Sequence, residues 1–161
     1  MATIRELFEF TEEARSPLER WLEEAVAAAR GEWVNLEPVV DEAAVDELAV
    51  RRGVAGWMSG RGSDLPYVTI VVPTSDRKPV PGSLGIQHGG GPRAARALLD
   101  AGVVPPTSWT LRQDHPRRGL VFELASPWDT SATLDYAFTA VHHLCPVGLD
   151  GRWSAVTHRI A

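Results

Sequence analysis

Six consecutive residues, Tyr67-Val68-Thr69-Ile70-Val71-Val72, place the tightest limit on what this chain can fold into. The run is β-branched and largely apolar on both of its alternating faces, the pattern of a strand inside a sheet rather than at its margin. A strand of that kind requires neighbours on both sides and a layer packed against it. Residues 73–81 make a connecting turn tipped by Asp76, Arg77 and Lys78, and residues 83–88 follow as the antiparallel neighbour.

The covering layer is legible as helices. Ser16-Pro17-Leu18-Glu19 combines a cap residue, an early proline and a glutamate three residues after the cap. Leu18, Trp21, Leu22, Ala25, Val26 and Ala29 then form an apolar stripe, with Gly31 as its terminator. Before it, Ile4, Leu7, Phe8 and Thr11 fall at helical spacing and predict a first helix over residues 4–14. Asp41 predicts the cap of a third helix carrying Ala44, Val45, Leu48 and Ala49 and closed at Gly53. Residues 33–40 read as a short strand that Pro38 pushes to an edge. Residues 54–65, with Gly56, Gly60 and Gly62, read as a turn-rich loop after a short strand at 54–58.

Downstream, Gly89-Gly90-Gly91-Pro92 breaks the chain, and a helix is expected from Pro92 to about Asp100, ended by Gly102. Residues 109–112 and 120–124 flank the turn Asp114-His115-Pro116-Arg117-Arg118-Gly119 as a hairpin. A last helix over 131–144 ends before Pro146, and 153–160 makes a final strand. These elements predict one α+β domain over residues 1–161. It has an antiparallel or mixed sheet of about five to six strands, N-terminal helices and two further helices packed on it. Residues 1–52 form its acidic, mainly helical part and 53–161 its sheet-containing body.

Composition enters as a filter on function. The hydrophobic fraction of 44% and charged fraction of 23% are those of a globular chain. Cys145 is alone, which excludes an internal disulfide and any metal site built on paired cysteines. With no apolar leader and no run long enough to span a bilayer, a cytoplasmic protein without membrane attachment is expected. Fifteen of the 16 basic residues are arginine, a bias expected of a GC-rich bacterial genome. Residues 1–50 carry a formal charge of −9 and the remainder +4, giving the net −5. That balance speaks against nucleic acid and leaves an acidic front able to meet a basic partner.

The densest chemical signal is Gln87-His88-Gly89-Gly90-Gly91-Pro92-Arg93-Ala94-Ala95-Arg96. A strand that feeds glycines into a helix start bares main-chain N–H groups, which favour an anion. Arg93 and Arg96 in a first helical turn oppose the helix dipole unless a carboxylate or phosphate lies near them. A ligand site is therefore expected at His88, Gly89, Gly90, Gly91, Arg93 and Arg96, joined by Asp114, His115 and Arg117 of the hairpin turn. The ligand is an anionic small molecule or a protein partner; equally, the anion could be one of the chain's own aspartates or glutamates.

Two resemblances attach to this stretch. His88-Gly89-Gly90-Gly91 is similar to the oxyanion loop of lipases and esterases, but those enzymes also need a Gly-x-Ser-x-Gly elbow. Gly56-Trp57-Met58-Ser59-Gly60 has the wrong spacing for it. The stretch also resembles the pyrophosphate loop of acyl-CoA-dependent N-acetyltransferases at Gln87 and Gly90, which implies an acyl-transferring enzyme. Pro92 stands where that loop has a small residue with an N–H to donate.

Other candidates are weaker. His142 and Cys145, three apart, suggest a thiol–imidazole dyad without a third, orienting group. His88, His115 and His158 come from separate segments. Trp57 and Trp128 lie among turn residues, where they could line a ligand pocket or a partner surface. With no complete catalytic set, the expectation is a small binding or regulatory domain.

Overall fold

The apolar run becomes β3 (Tyr67–Val71), the middle strand of a seven-stranded sheet. The computed structural model describes residues 2–58 and 64–161, and for 51–58 the backbone alone. Its other strands are β1 (Thr3–Thr11), β2 (Trp33–Pro38), β4 (Gly82–Gln87), β5 (Thr110–His115), β6 (Gly119–Leu124) and β7 (Arg152–Ile160). They lie in the order β1-β7-β2-β3-β4-β6-β5 with every neighbouring pair antiparallel. Four α-helices accompany them among the described residues: α1 (Ser16–Ala28), α2 (Glu42–Met58), α3 (Ala94–Asp100) and α4 (Thr130–Leu144). The α+β class holds, with a sheet larger than the five to six strands expected.

Alternation along the strands sends Val34, Leu36, Val68, Ile70, Leu84, Ile86, Phe122 and Trp153 to one face, where all are buried. On that face α1 contributes Leu18, Trp21, Leu22 and Ala25, and α4 contributes Leu134, Ala137, Phe138 and Val141, to a single core. Burying one such side chain is worth about 1.5–3 kcal/mol, so these two helices are fixed mainly by their apolar stripes. The opposite face carries half-buried Trp33, Asn35, Tyr67, Thr69 and Val71. From Glu42 to Val50, α2 keeps its side chains exposed apart from half-buried Ala44 and Leu48. Among the described residues no helix is long and apolar enough to cross a membrane.

Several expectations are overturned. Residues 4–14 are not a helix: β1 occupies Thr3–Thr11 and a short 3-10 turn follows. Helical spacing selects Ile4 and Leu7, which are 51% and 71% exposed, whereas period two brings Phe8 and Phe10 to the covered face. There Phe10 packs on Phe138 at 6.0 Å, and Phe138 on Trp153 at 4.8 Å. Pro38 does not mark an edge, because β2 lies between β7 and β3. Pairing with β3 already ends at Leu36↔Val68, so the N–H that Pro38 lacks is missing from no ladder.

Other boundaries move as well. α1 starts with Arg15, not Ser16, at its cap; Arg15 reaches Glu19 in its own helix and Asp135 and Ser131 of α4. Its C-cap is Ala29 in the left-handed region, two residues ahead of Gly31. α2 passes Gly53 and runs to Met58, replacing the short strand expected at 54–58. The middle of the expected loop, residues 59–63, lies outside the described residues. α3 begins at Ala94 and not at Pro92.

The β5–β6 turn closes on Gly119, which takes φ +76°. A Cβ there would sit 2.2 Å from the carbonyl oxygen of Ile86, a backbone atom that cannot turn aside. Gly119→Ala should therefore cost about 3 kcal/mol in a denaturant unfolding experiment, through backbone strain and overlap together. A loss under about 0.5 kcal/mol would show that this turn does not hold β4 and β6 together.

Candidate functional site

The glycine corner forms where β4 runs out beneath α4. His88 is the last buried side chain of that segment, with no exposed surface. Its Nδ1 accepts a hydrogen bond from the Gly90 N–H at 3.2 Å, which places the ring proton on Nε2. Nε2 is buried and has no partner among the described residues. Burial pushes the imidazole below its ordinary range, and the charge of Asp114 opposes that shift. Gly91 and Arg93 adopt positive φ, +80° and +63°, to turn the chain into α3. Arg93 is thus the cap residue ahead of the helix and lies outside its first turn.

Asp114 of β5 then reaches across, and its Oδ2 accepts from the Ala95 N–H at 3.2 Å. The corner therefore brings together His88, Gly90, Ala95 and Asp114, and its own side chains take up two of the donors considered for an anion. Gly89 is half-buried and Gly91 buried. Arg96 turns away to pair with Asp100 along α3. His115 serves its own turn, with Nδ1 accepting from the N–H groups of Arg117 and Arg118.

The remaining histidines stay apart. His158 lies on the other face of the sheet from His88, stacked on Trp33 with ring centroids 4.5 Å apart. Asn35 Nδ2 lies 3.3 Å from His158 Nε2, and the Asn35 carbonyl oxygen accepts from Thr69 Oγ1 at 2.9 Å. Burial, then the positive charge of Arg5, lowers the His158 pKa. His142 Nε2 meets Glu12 Oε1 at 2.6 Å, and the same oxygen accepts from Trp153 Nε1 at 2.9 Å. The orienting carboxylate that a dyad would need is thus present. Cys145, however, caps α4 with its thiol pushed up by burial, which keeps it protonated and a poor nucleophile.

A different site emerges along α4. Two adjoining cavities share Pro106 and Ala132 in their walls. The smaller, about 120 Å³, is lined by Trp109, Trp128, Leu124, Pro127 and Thr133 among others. The larger is an open groove of about 470 Å³ between the segment 102–107 and the α4 residues Asp135, Tyr136 and Thr139. Tyr136 belongs to an aromatic cluster in which Trp109 and Phe122 each meet its ring edge-on, at 5.3 and 5.4 Å. Burial raises the Tyr136 phenol to about 12.

Trp128 packs against Gly82, where a Cβ would come to 2.0 Å from the ring. Its Nε1–H is buried and has no acceptor among the described residues. Of the two tryptophans flagged from their turn context, Trp128 lines a cavity, and the side chain of Trp57 lies outside the described residues. Trp109 carried no functional signal because its strand position reads as core, and Tyr136 was marked by no motif at all. Among the described residues no three His, Cys, Asp or Glu side chains converge as metal ligands would. No protein-family model, no curated protein and no solved structure matches the chain.

His88 gives the corner a measurable signature. Its folded-state pKa lies below the ordinary 6.5, so below that pH the unfolded chain binds the extra proton more readily. The stability it contributes is complete above about pH 6.5 and is lost as pH falls through the folded value. His88→Asn keeps an acceptor for Gly90 but does not titrate. Unfolding free energies measured between about pH 7.5 and 5 should fall less steeply for this variant than for the parent. Equal slopes would remove His88 from the account.

Proposed function

We propose that this chain is a non-catalytic binding domain that takes a short extended segment of a protein partner in the groove beside α4. The observation that carries the reading is the Trp128 Nε1–H, a buried donor without an acceptor among the described residues, on a side chain that lines a cavity. An unmet buried donor costs about 1–3 kcal/mol, and a turn of the Trp128 ring toward the cavity would let a partner's carbonyl relieve that cost on binding. The 120 Å³ space suits one small apolar side chain, and the open groove suits the extended main chain on either side of it. Trp109, Trp128 and Tyr136 are the residue types on which binding energy concentrates. An anion at the glycine corner is a weaker reading, because His88 and Asp114 already take up donors there. The acyl-transfer alternative depends on those same donors and weakens with it.

Peptides selected from a random library against the full chain should shift the indole N–H resonances of Trp128 and Trp109. Trp128→Phe keeps the ring but removes the donor, and should weaken the selected peptides about tenfold, near 1.4 kcal/mol. Ala132→Trp, which puts a bulky ring where the two cavities meet, should abolish binding. Selected peptides that bind while leaving both indole resonances unmoved would place recognition elsewhere.

A further inference from the structure

The two edges of the sheet are built differently. β5 is blunted: its register shifts between Leu111 and Gln113, and Asp114 is engaged with α3. β1 has neither protection. It is nine residues long and pairs with β7 without a register shift. Ala2 O accepts from the Ala161 N–H, and the Glu12 N–H donates to Gly151 O. In that ladder the even-numbered residues direct their main-chain groups at β7. Thr3, Arg5, Leu7, Glu9 and Thr11 therefore direct theirs outward, with no main-chain partner among the described residues. The side chains of these five share the sheet face opposite α1 and α4, and Leu7 is 71% exposed.

We infer that β1 pairs with β1 of a second copy of this chain, antiparallel about a two-fold axis at Leu7, making one continuous fourteen-stranded sheet. The sequence of the edge reads as its own complement about that point. Leu7 meets the partner's Leu7, Arg5 meets the partner's Glu9 twice over, and Thr3 meets the partner's Thr11. Opposite charges and threonine pairs are favourable across an antiparallel ladder. Within the chain neither Arg5 nor Glu9 has an ion-pair partner among the described residues, so each is free for the other copy. All five pairs join residues whose main-chain groups point outward, which permits about ten new hydrogen bonds. On the covered face Ile4, 51% exposed, comes beside the partner's Phe10. A patch that recognises itself in this way gives a closed dimer and no fibre.

Sedimentation velocity on the full chain, over a concentration series up to its solubility limit, tests the pairing. The parent chain should sediment as a dimer. Arg5→Glu sets glutamate against glutamate at both symmetric positions and should raise the dimer dissociation constant about tenfold or more. The double variant Arg5→Glu with Glu9→Arg restores the pairs in reverse and should restore the dimer. Circular dichroism identifies any variant that fails to fold, and Glu9→Arg alone then reads the same charge term. A parent chain that stays monomeric overturns the inference. So does a dimer indifferent to Arg5→Glu, or a double variant that remains monomeric.

Discussion

The architecture turns on how β7 is held, and one carboxylate makes much of that joint. Glu12, just past the end of β1, accepts from the indole of fully buried Trp153 on β7 and meets His142 on α4 through the same oxygen. Directly inside it, Phe138 packs on Trp153 and on Phe10. The last strand thereby joins β1, β2 and the main covering helix at one place. β7 also separates β1 from β2, which never pair with each other. Without it the sheet would lose its N-terminal edge, and α4 would lose the contact of Phe138 with Trp153.

That dependence explains what the sequence disclosed and what it withheld. β3, β4, the β5–β6 hairpin, α1 and α4 are specified locally, by β-branched runs, turn residues and apolar stripes, and they form close to where those signals stand. β1 is specified at a distance. Its nine residues satisfy a helical pattern through Ile4 and Leu7 and a strand pattern through Phe8 and Phe10. The choice between them is made by β7, about 150 residues away, whose ladder and Trp153 reward the second. Pro38 misled for a similar reason: whether its missing N–H matters depends on where β3 stops pairing, which is a property of register.

The glycine corner shows the same division. Three glycines and two arginines announce donors and positive charge, and the donors exist. What periodicity cannot report is that Asp114, nineteen residues beyond Ala95 and on another strand, supplies an acceptor. Nor can it report that His88 folds back on Gly90. Donors met from within and donors left for a ligand look identical in one dimension. Trp128 is the opposite case. Its turn context marked it as a residue with something to bind, but no one-dimensional signal shows that its ring packs against a glycine at position 82 and that its N–H is buried without an acceptor among the described residues.

The groove and the β1 edge also stand in a definite spatial relation. The smaller cavity, which adjoins the groove, is walled by Leu124 of β6 and by Trp109, which precedes β5, at the end of the sheet remote from β1. Pairing through β1 leaves both grooves uncovered and puts eleven strand spacings between the two copies of β6, roughly 50 Å along the sheet. A single short peptide cannot bridge that span, so each groove would bind its own segment. A partner carrying two such segments on a linker of matching length would bind far more tightly than either alone. The dimer would then act on avidity by fixing a distance, without changing a contact in either groove. For this reason the length of a partner's linker, more than the sequence of its segments, would decide which bivalent partners the assembly favours.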